Sequence, residues 1–377
     1  MQSQSYDIHL SIWFSYCLVN DVKIGIPKET KVLEGRVSLI PASCAALISK
    51  GNEVFIETGA GLLSGYTDDE YRVKGVTVCA NTGLLYASAC LIVKVKEPIE
   101  QDLQYLRKHH ILFCYLHLAA NLELTQRLCD VGLTAIAFET VVDDEGLLPL
   151  LKPMSEIAGT LAVQIGTHLL HQPQGGKGIM LGGLSMTEPG NVVVLGAGIA
   201  GSSAARQAAS TGAHVTLIDR DAARYQALTE QYPNIDGELS SETSIAKAVN
   251  EADLLIGAVL LPGLQAPRLV TESQVKCMQP GSVIIDISVD QGGCIETIHP
   301  TNYQQPTYKR YGVLHFGVTN MPGAVPRTAS QALSAAILPY VQSLCEENWQ
   351  QQDNLLSGIN VRNGHIDNPL IEQAINS

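Results

Sequence analysis

Short apolar runs recur along the chain, separated by polar or helix-like stretches, which is the alternation expected of an α/β protein. Between Val22 and about Pro149 the runs KIGIP, EVFIE, LIVKVK, ILFCYLHL and LTAIAFE read as strands. Pro41 opens a helix through Lys50, proline being tolerated in a first turn, and Asn121 to Val131 is a further helical stretch. GLLPLLKP, with Pro149 and Pro153, reads as a crossover. Ser155 then caps a long helix, SEIAGTLAVQIGTHLLH, and the glycine-rich run QGGKGIMLGGL leads into a second alternating region. There LLIGAVL, SVIIDISV and VLHFGV supply parallel strands. MPGAVPRT is a hinge, Thr328 to Leu344 an apolar-faced helix, and a polar tail completes the chain.

The pattern is most specific from Val192 to Asp219, VVVLGAGIAGSSAARQAASTGAHVTLID. A buried strand runs into Gly196, Gly198 and Gly201, which complete G-x-G-x-x-G. A small-residue helix, a second apolar run and an acid follow. Gly196 lets the chain turn off the strand, Gly198 removes a side chain that would block a pyrophosphate, and Gly201 lets the helix approach the sheet. The phosphates are expected on the helix N-terminus, where unpaired N–H groups favour anions. Asp219 is placed to accept from a ribose 2′-OH and to repel a 2′-phosphate, so NAD is favoured over NADP.

The expected architecture is therefore α/β with two Rossmann-like domains. An NAD-binding domain, 150–326, is inserted in a discontinuous substrate domain, 22–149 plus 327–377, with a cleft between them for cofactor and small substrate. Residues 1–21 stand apart. Ile8 to Val19 is apolar but lacks a basic n-region and a small-residue cleavage site, and is too short to span a bilayer. This stretch reads as a leader, unstructured or absent from the native protein.

Charge narrows the partners. Lys and Arg total 24 against 37 Asp and Glu, a net charge of −13, which argues against nucleic acid and anionic membranes. The nine cysteines show neither C-x-x-C nor zinc-type spacing. Cys114, Cys129 and Cys277 lie in apolar runs, so reduced core thiols in a cytoplasmic protein are expected.

Several segments now point to a family: KIGIPKETKVLEGRVSLIP, LIVKVKEP, LFCYLHLAA, LKPMSEIAG, DISVDQGG, GAGIAG and GVTNMPGAVPRT. From Val22 to about Leu344 the chain resembles the alanine dehydrogenase/transhydrogenase family, on its alanine dehydrogenase side. The resemblance implies reversible NAD-dependent oxidative deamination of L-alanine to pyruvate and ammonium. Hydride would pass from Cα to nicotinamide C4 by way of iminopyruvate. It also implies a homohexamer.

The residues can be weighed against that chemistry. Arg36 offers a planar fork for a substrate carboxylate, although a lone loop arginine is ordinarily solvated. Strand alternation puts Lys94 and Lys96 on one face and does not choose between them. The family motif matches Lys96, which would contact the carboxylate or carbonyl oxygen of pyruvate and leave Lys94 structural or salt-bridged. A lone histidine such as His117 is ordinarily a core residue, but its position matches the family's catalytic histidine, suited to proton transfer. Asp290, past the strand, matches the aspartate that orients water or ammonia and stabilises the imine. Asp286, inside the strand motif, is the competing acid and reads as structural.

By the same matching, NAD contacts would come from Ser155, Ile199, Ala200, Asp219, Arg224 and Ser240. Val259 and Leu260 would line the adenosine side. Ile287, Ser288, Val289 and Asp290, with Val318, Thr319, Asn320 and Met321, would reach the nicotinamide end. The stretch from Gln342 to Glu347 has carboxylates but no histidine, so no metal is assigned.

Two other functions compete. The NAD-binding subunit of a proton-translocating transhydrogenase shares the fold, but LKPMSEIAG runs straight into its helix without that subunit's Arg-, Gln- and Asp-rich loop. A non-catalytic NAD-binding regulator would have lost one of Arg36, Lys96, His117 or Asp290, and all four are present.

Overall fold

The computed structural model describes residues 22–259 and 265–376. Residues 1–21, expected to form a leader, and Leu260 lie outside the described residues. The chain divides into two compact units, with breaks after Pro153 and after Pro322.

In the first unit, strands β1 (Lys23–Ile26), β2 (Glu53–Glu57), β3 (Thr77–Cys79), β4 (Leu91–Val93), β5 (Ile111–Cys114) and β6 (Thr134–Ala137) are parallel. In the second, β7 (Asn191–Leu195), β8 (His214–Asp219), β9 (Ile235–Leu239), β10 (Leu254–Gly257), β11 (Val283–Asp286) and β13 (Val313–Phe316) are parallel, and β12 (Thr307–Arg310) runs against β13. The chain then returns to the first sheet with β14 (Ile359–Arg362) and β15 (His365–Ile366).

The sheet orders are β15-β14-β6-β5-β4-β1-β2-β3 and β12-β13-β11-β10-β7-β8-β9. Each reverses direction of growth once, between β1 and β4 and between β7 and β10. Loops that leave the carboxyl ends of neighbouring strands diverge at such a point and leave room for a ligand. The central strands β6, β10 and β11 are buried along their whole length. Parallel strands covered on both faces read as continuous apolar runs, which makes them visible in sequence.

Four expectations are corrected. The long crossover helix spans Lys152–Leu169, so Ser155 lies inside its first turns instead of capping it. Pro153 sits where the helix has no N–H bond to lose. The tail is not merely polar: β14 pairs antiparallel with β6, and its hairpin turns at Asn363 and Gly364, both at positive φ. Cys114 is buried as expected, but Cys129 is only half-buried, and Cys277, at the end of helix Glu272–Cys277, is exposed. Lys94 and Lys96 do not share a strand face, because β4 ends at Val93 and the chain bends at Val95 and Lys96.

Candidate active site

In the second unit two of the three fingerprint glycines answer a steric demand of the fold itself. Gly196 has φ of 98°, and a Cβ there would lie 2.6 Å from the Ala258 carbonyl oxygen. A Cβ on Gly201 would lie 1.7 Å from the Gly196 oxygen, so helix Ile199–Ser210 can start here only without a side chain. A Cβ on Gly198 meets nothing within 4 Å, so the space in front of the helix N-terminus is open. No side chain caps this helix, and its first N–H groups point into that space.

Asp219 is buried at the end of β8. Its carboxylate accepts from Ala197 N–H (2.6 Å) and from Asp221 N–H (3.0 Å), so it also braces the glycine turn. Ser240 N–H donates to the Asp219 carbonyl (2.9 Å), which sets Ser240 beside it. Val259, past β10, flanks Gly196. Arg224 lies exposed on helix Ala223–Gln231, 3.8 Å from Asp221. A Cβ on Gly159 of the crossover helix would lie 2.0 Å from the Ala200 oxygen. Ser155, four residues earlier, shares that helix face.

Past β11 the chain forms a short 3-10 turn, Ile287–Gln291. Asp286 is buried and accepts from Ser288 N–H (2.9 Å), Cys294 N–H (2.8 Å) and Ile295 N–H (3.2 Å). Burial outweighs these donors and pushes its carboxyl up to about 6. It is a structural brace, as expected, whereas Asp290 stands exposed on the turn. Past β13, Val318 and Met321 are buried while Thr319 and Asn320 are half-buried. Asn320 takes φ of 58°, and the Met321 carbonyl accepts from Tyr303 O–H (2.9 Å). These groups follow the carboxyl ends of β7 to β11 and β13, at one edge of one sheet. The open N-terminus, the brace and the glycine packing fit a dinucleotide.

In the first unit, Arg36, Lys96 and His117 lie on the loops after β1, β4 and β5, again at one carboxyl edge. Arg36 is 3% exposed, unlike the solvated arginine usual on a loop. Its Nε and Nη2 donate to the two oxygens of Glu34 (2.7 and 2.5 Å). Burial disfavours its charge, but the Glu34 carboxylate outweighs that and holds it more firmly protonated than usual. One edge of the fork is thus already engaged by the protein.

Lys94 is buried between Glu29 (3.5 Å) and Asp102 (3.3 Å), the salt-bridged role expected of it. Burial opposes its charge, yet the two carboxylates keep it ionised. Lys96 is half-buried, and Glu29 Oε1 accepts from both Val95 N–H (2.7 Å) and Lys96 N–H (3.2 Å).

His117 is not a core histidine: its side chain is 49% exposed. Its backbone is left-handed, φ 52°, a conformation that costs about 1 kcal/mol or more for a non-glycine residue and persists only when held. Glu139 holds it, accepting from Leu116 N–H (3.1 Å) and His117 N–H (2.6 Å), with the imidazole Nδ1 3.8 Å away. The ring lies parallel to Tyr115, with centroids 6.1 Å apart, and Tyr115 O–H donates to the Leu150 carbonyl (2.7 Å).

Sequence reasoning does not single out Glu29, Glu34, Glu139 or Tyr115. Glu34 stands two residues from its arginine. Glu29 and Glu139 act across 67 and 22 residues, on backbone atoms that leave no compositional trace.

Comparison with known proteins adds the family. Residues 25–158 match "Alanine dehydrogenase/PNT, N-terminal domain" and residues 162–369 match "Alanine dehydrogenase/PNT, C-terminal domain". The chain is similar to the alanine dehydrogenase of Bacillus subtilis, 48% identical over 91% of this chain and 92% of that one. It is likewise similar to that of Methanococcus maripaludis, 45% identical over 91% and 94%. Among solved structures, an L-alanine dehydrogenase superposes with a TM-score of 0.91 at 46% identity, over 94% of this chain and 99% of that one. A transhydrogenase from Sinorhizobium meliloti superposes with a TM-score of 0.80 at 25% identity, over 92% and 99%. The chain belongs to the alanine dehydrogenase/PNT family.

Proposed function

We propose that this protein is an NAD-dependent oxidoreductase that deaminates L-alanine reversibly, converting alanine, water and NAD to pyruvate, ammonium, NADH and a proton. The observation that carries the reading is that one chain, 48% identical to a named alanine dehydrogenase, holds a dinucleotide cradle in its second unit and Arg36, Lys96 and His117 on one sheet edge of its first. The transhydrogenase reading is weaker, because that likeness falls to 25% identity and does not call for the lysine and histidine.

When bound, NAD accepts hydride from the substrate Cα. The rest of the work falls to side chains. Arg36, oriented by Glu34, and Lys96 bind the substrate carboxylate and polarise the oxygen of pyruvate. His117 is accessible and can both take and give a proton, so it serves water addition to the imine and departure of ammonia. Asp290 orients the water or ammonia and stabilises the positive imine. Gly196, Gly198, Ile199, Ala200 and Gly201 receive the pyrophosphate. Asp219, Arg224, Ser240, Val259 and Leu260 serve the adenosine half, and Ser155, Ile287 to Asp290 and Val318 to Met321 the rest. In this reading the protein is a cytoplasmic homohexamer of L-alanine catabolism, with a solution mass near six times the 40.4 kDa chain.

Asp219→Ala is expected to narrow the preference for NAD over NADP by ~10-fold or more, since a carboxylate facing a 2′-phosphate is removed. It should also weaken NAD, because the Ala197 N–H loses its acceptor. Steady-state kinetics with both coenzymes decide this; an unchanged NAD/NADP ratio places selectivity elsewhere. The whole reading is tested by NADH oxidation in the presence of pyruvate and ammonium.

A further inference from the structure

The two lysines of KVK do different work, and the buried one has a traceable connection to the other. Lys94 Nζ lies between Glu29 Oε2 (3.5 Å) and Asp102 Oδ2 (3.3 Å). Asp102 also accepts from Tyr86 O–H (3.0 Å) and Ile99 N–H (3.0 Å), so its end of the network is satisfied without the lysine. Glu29 gives its other oxygen, Oε1, to the backbone N–H groups of Val95 and Lys96. A buried chain thus runs from Tyr86 through Asp102, Lys94 and Glu29 to the backbone of Lys96.

The same device recurs at the neighbouring loops. Arg36 N–H donates to Glu34 Oε1 (3.1 Å) and His117 N–H to Glu139 Oε1 (2.6 Å). All three residues of the first unit assigned to the substrate therefore have their own backbone N–H fixed by a glutamate. A carboxylate that accepts two successive N–H groups fixes the peptide plane between them, and with it the direction in which the side chain leaves.

We propose that Glu29 is a positioning residue for Lys96, and that Lys94 is its buried counter-charge. The proposal rests on the alanine dehydrogenase reading. Glu29 touches no substrate; it acts by setting where the Lys96 ammonium stands. Two acceptors are needed at once, one for the backbone pair and one for Lys94, and a carboxylate supplies both. An amide has a single acceptor oxygen, so in Glu29→Gln the backbone and the ammonium compete for it. Removing the ammonium as well, in Glu29→Gln with Lys94→Met, ends the competition and returns the amide oxygen to the backbone.

The test is pyruvate KM, kcat and NADH affinity in the parent, the single variant and the double variant. Glu29→Gln is expected to raise pyruvate KM by ~10-fold or more, the scale of removing one charge-assisted hydrogen bond from a site. NADH affinity should stay within twofold. The double variant should recover pyruvate KM to within ~3-fold of the parent. An unchanged KM in the folded single variant overturns the proposal, as does a double variant as impaired as the single one. If Glu29→Gln does not fold, the double variant alone decides: near-parent KM supports the clamp and a tenfold rise refutes it. Failure of the function itself looks different, because the parent then shows no oxidation dependent on pyruvate and ammonium.

Discussion

Replacing His117 by alanine is expected to cut turnover by ~100- to 10,000-fold, the usual contribution of a positioned acid–base group, while NADH binds as before. The separation of effects follows from placement. The cradle around Gly196, Gly198 and Gly201 belongs to the second unit, whereas His117 sits on the loop after β5 of the first. Loss of the imidazole leaves the Glu139 bonds to Leu116 N–H and His117 N–H in place, so the loop should persist. The left-handed backbone at φ 52° strains alanine, and asparagine tolerates it better. His117→Asn should therefore fold at least as well and be as inactive. Turnover within tenfold of the parent in either folded variant refutes the acid–base role.

Acid should destabilise the fold strongly between about pH 6.5 and 4. Among the described residues two histidines are buried, and neither is the candidate catalytic one. His110 Nδ1 accepts from Arg107 N–H (3.0 Å) while Nε2 faces the Tyr86 carbonyl (3.0 Å), so protonation at Nδ1 breaks a bond. His315 faces the Val313 carbonyl through Nδ1 (3.1 Å) and the Thr297 hydroxyl through Nε2 (2.8 Å), so protonation forces the hydroxyl to turn. Burial, with smaller help from neighbouring charge, pulls both down to about 4.

An unfolded histidine binds its proton near 6.5, so the contribution of these two neutral rings is complete above that pH. It is lost as pH falls toward 4, at ~3 kcal/mol each. Asp286 works in the opposite sense. Its folded carboxyl sits at about 6, above the unfolded value, so lowering the pH relieves a buried charge and returns ~3 kcal/mol. The net loss of ~3–4 kcal/mol is a large share of the stability of a typical domain. Urea midpoints measured from pH 7.5 to 4.5 should fall, and His110→Gln should flatten the fall in the first unit, where Asp286 does not offset the loss. A midpoint independent of pH in that range contradicts the assignment.

Much of the architecture is legible in the sequence because parallel strands announce themselves. VVVL, LLIG and VIID are apolar at nearly every position, and a sheet covered on both faces demands that. The glycine spacing is legible because Gly196 and Gly201 answer steric demands that no other residue meets. What escapes is short, antiparallel or, like β9 (IDGEL), a polar edge strand. β3 has three residues, and β12 and β14 are each joined to a partner strand by a tight hairpin. The Asn363–Gly364 pair is a usable hairpin signal, since both residues adopt positive φ there.

At the site, chemistry-bearing residue types can be read from the sequence, but not what holds them. Arg36 looks solvated and is buried against Glu34; Lys94 and Lys96 look equivalent and are not. The bend after Val93 is set by Glu29, a residue from another loop, and no local pattern records it.

The central claim is tested most directly by following the absorbance of reduced nicotinamide with the purified protein, pyruvate and ammonium. Oxidation of NADH that requires both substrates together is predicted, as is NAD reduction by L-alanine in the reverse direction. No rate with pyruvate and ammonium, from folded protein that binds NADH, would contradict it.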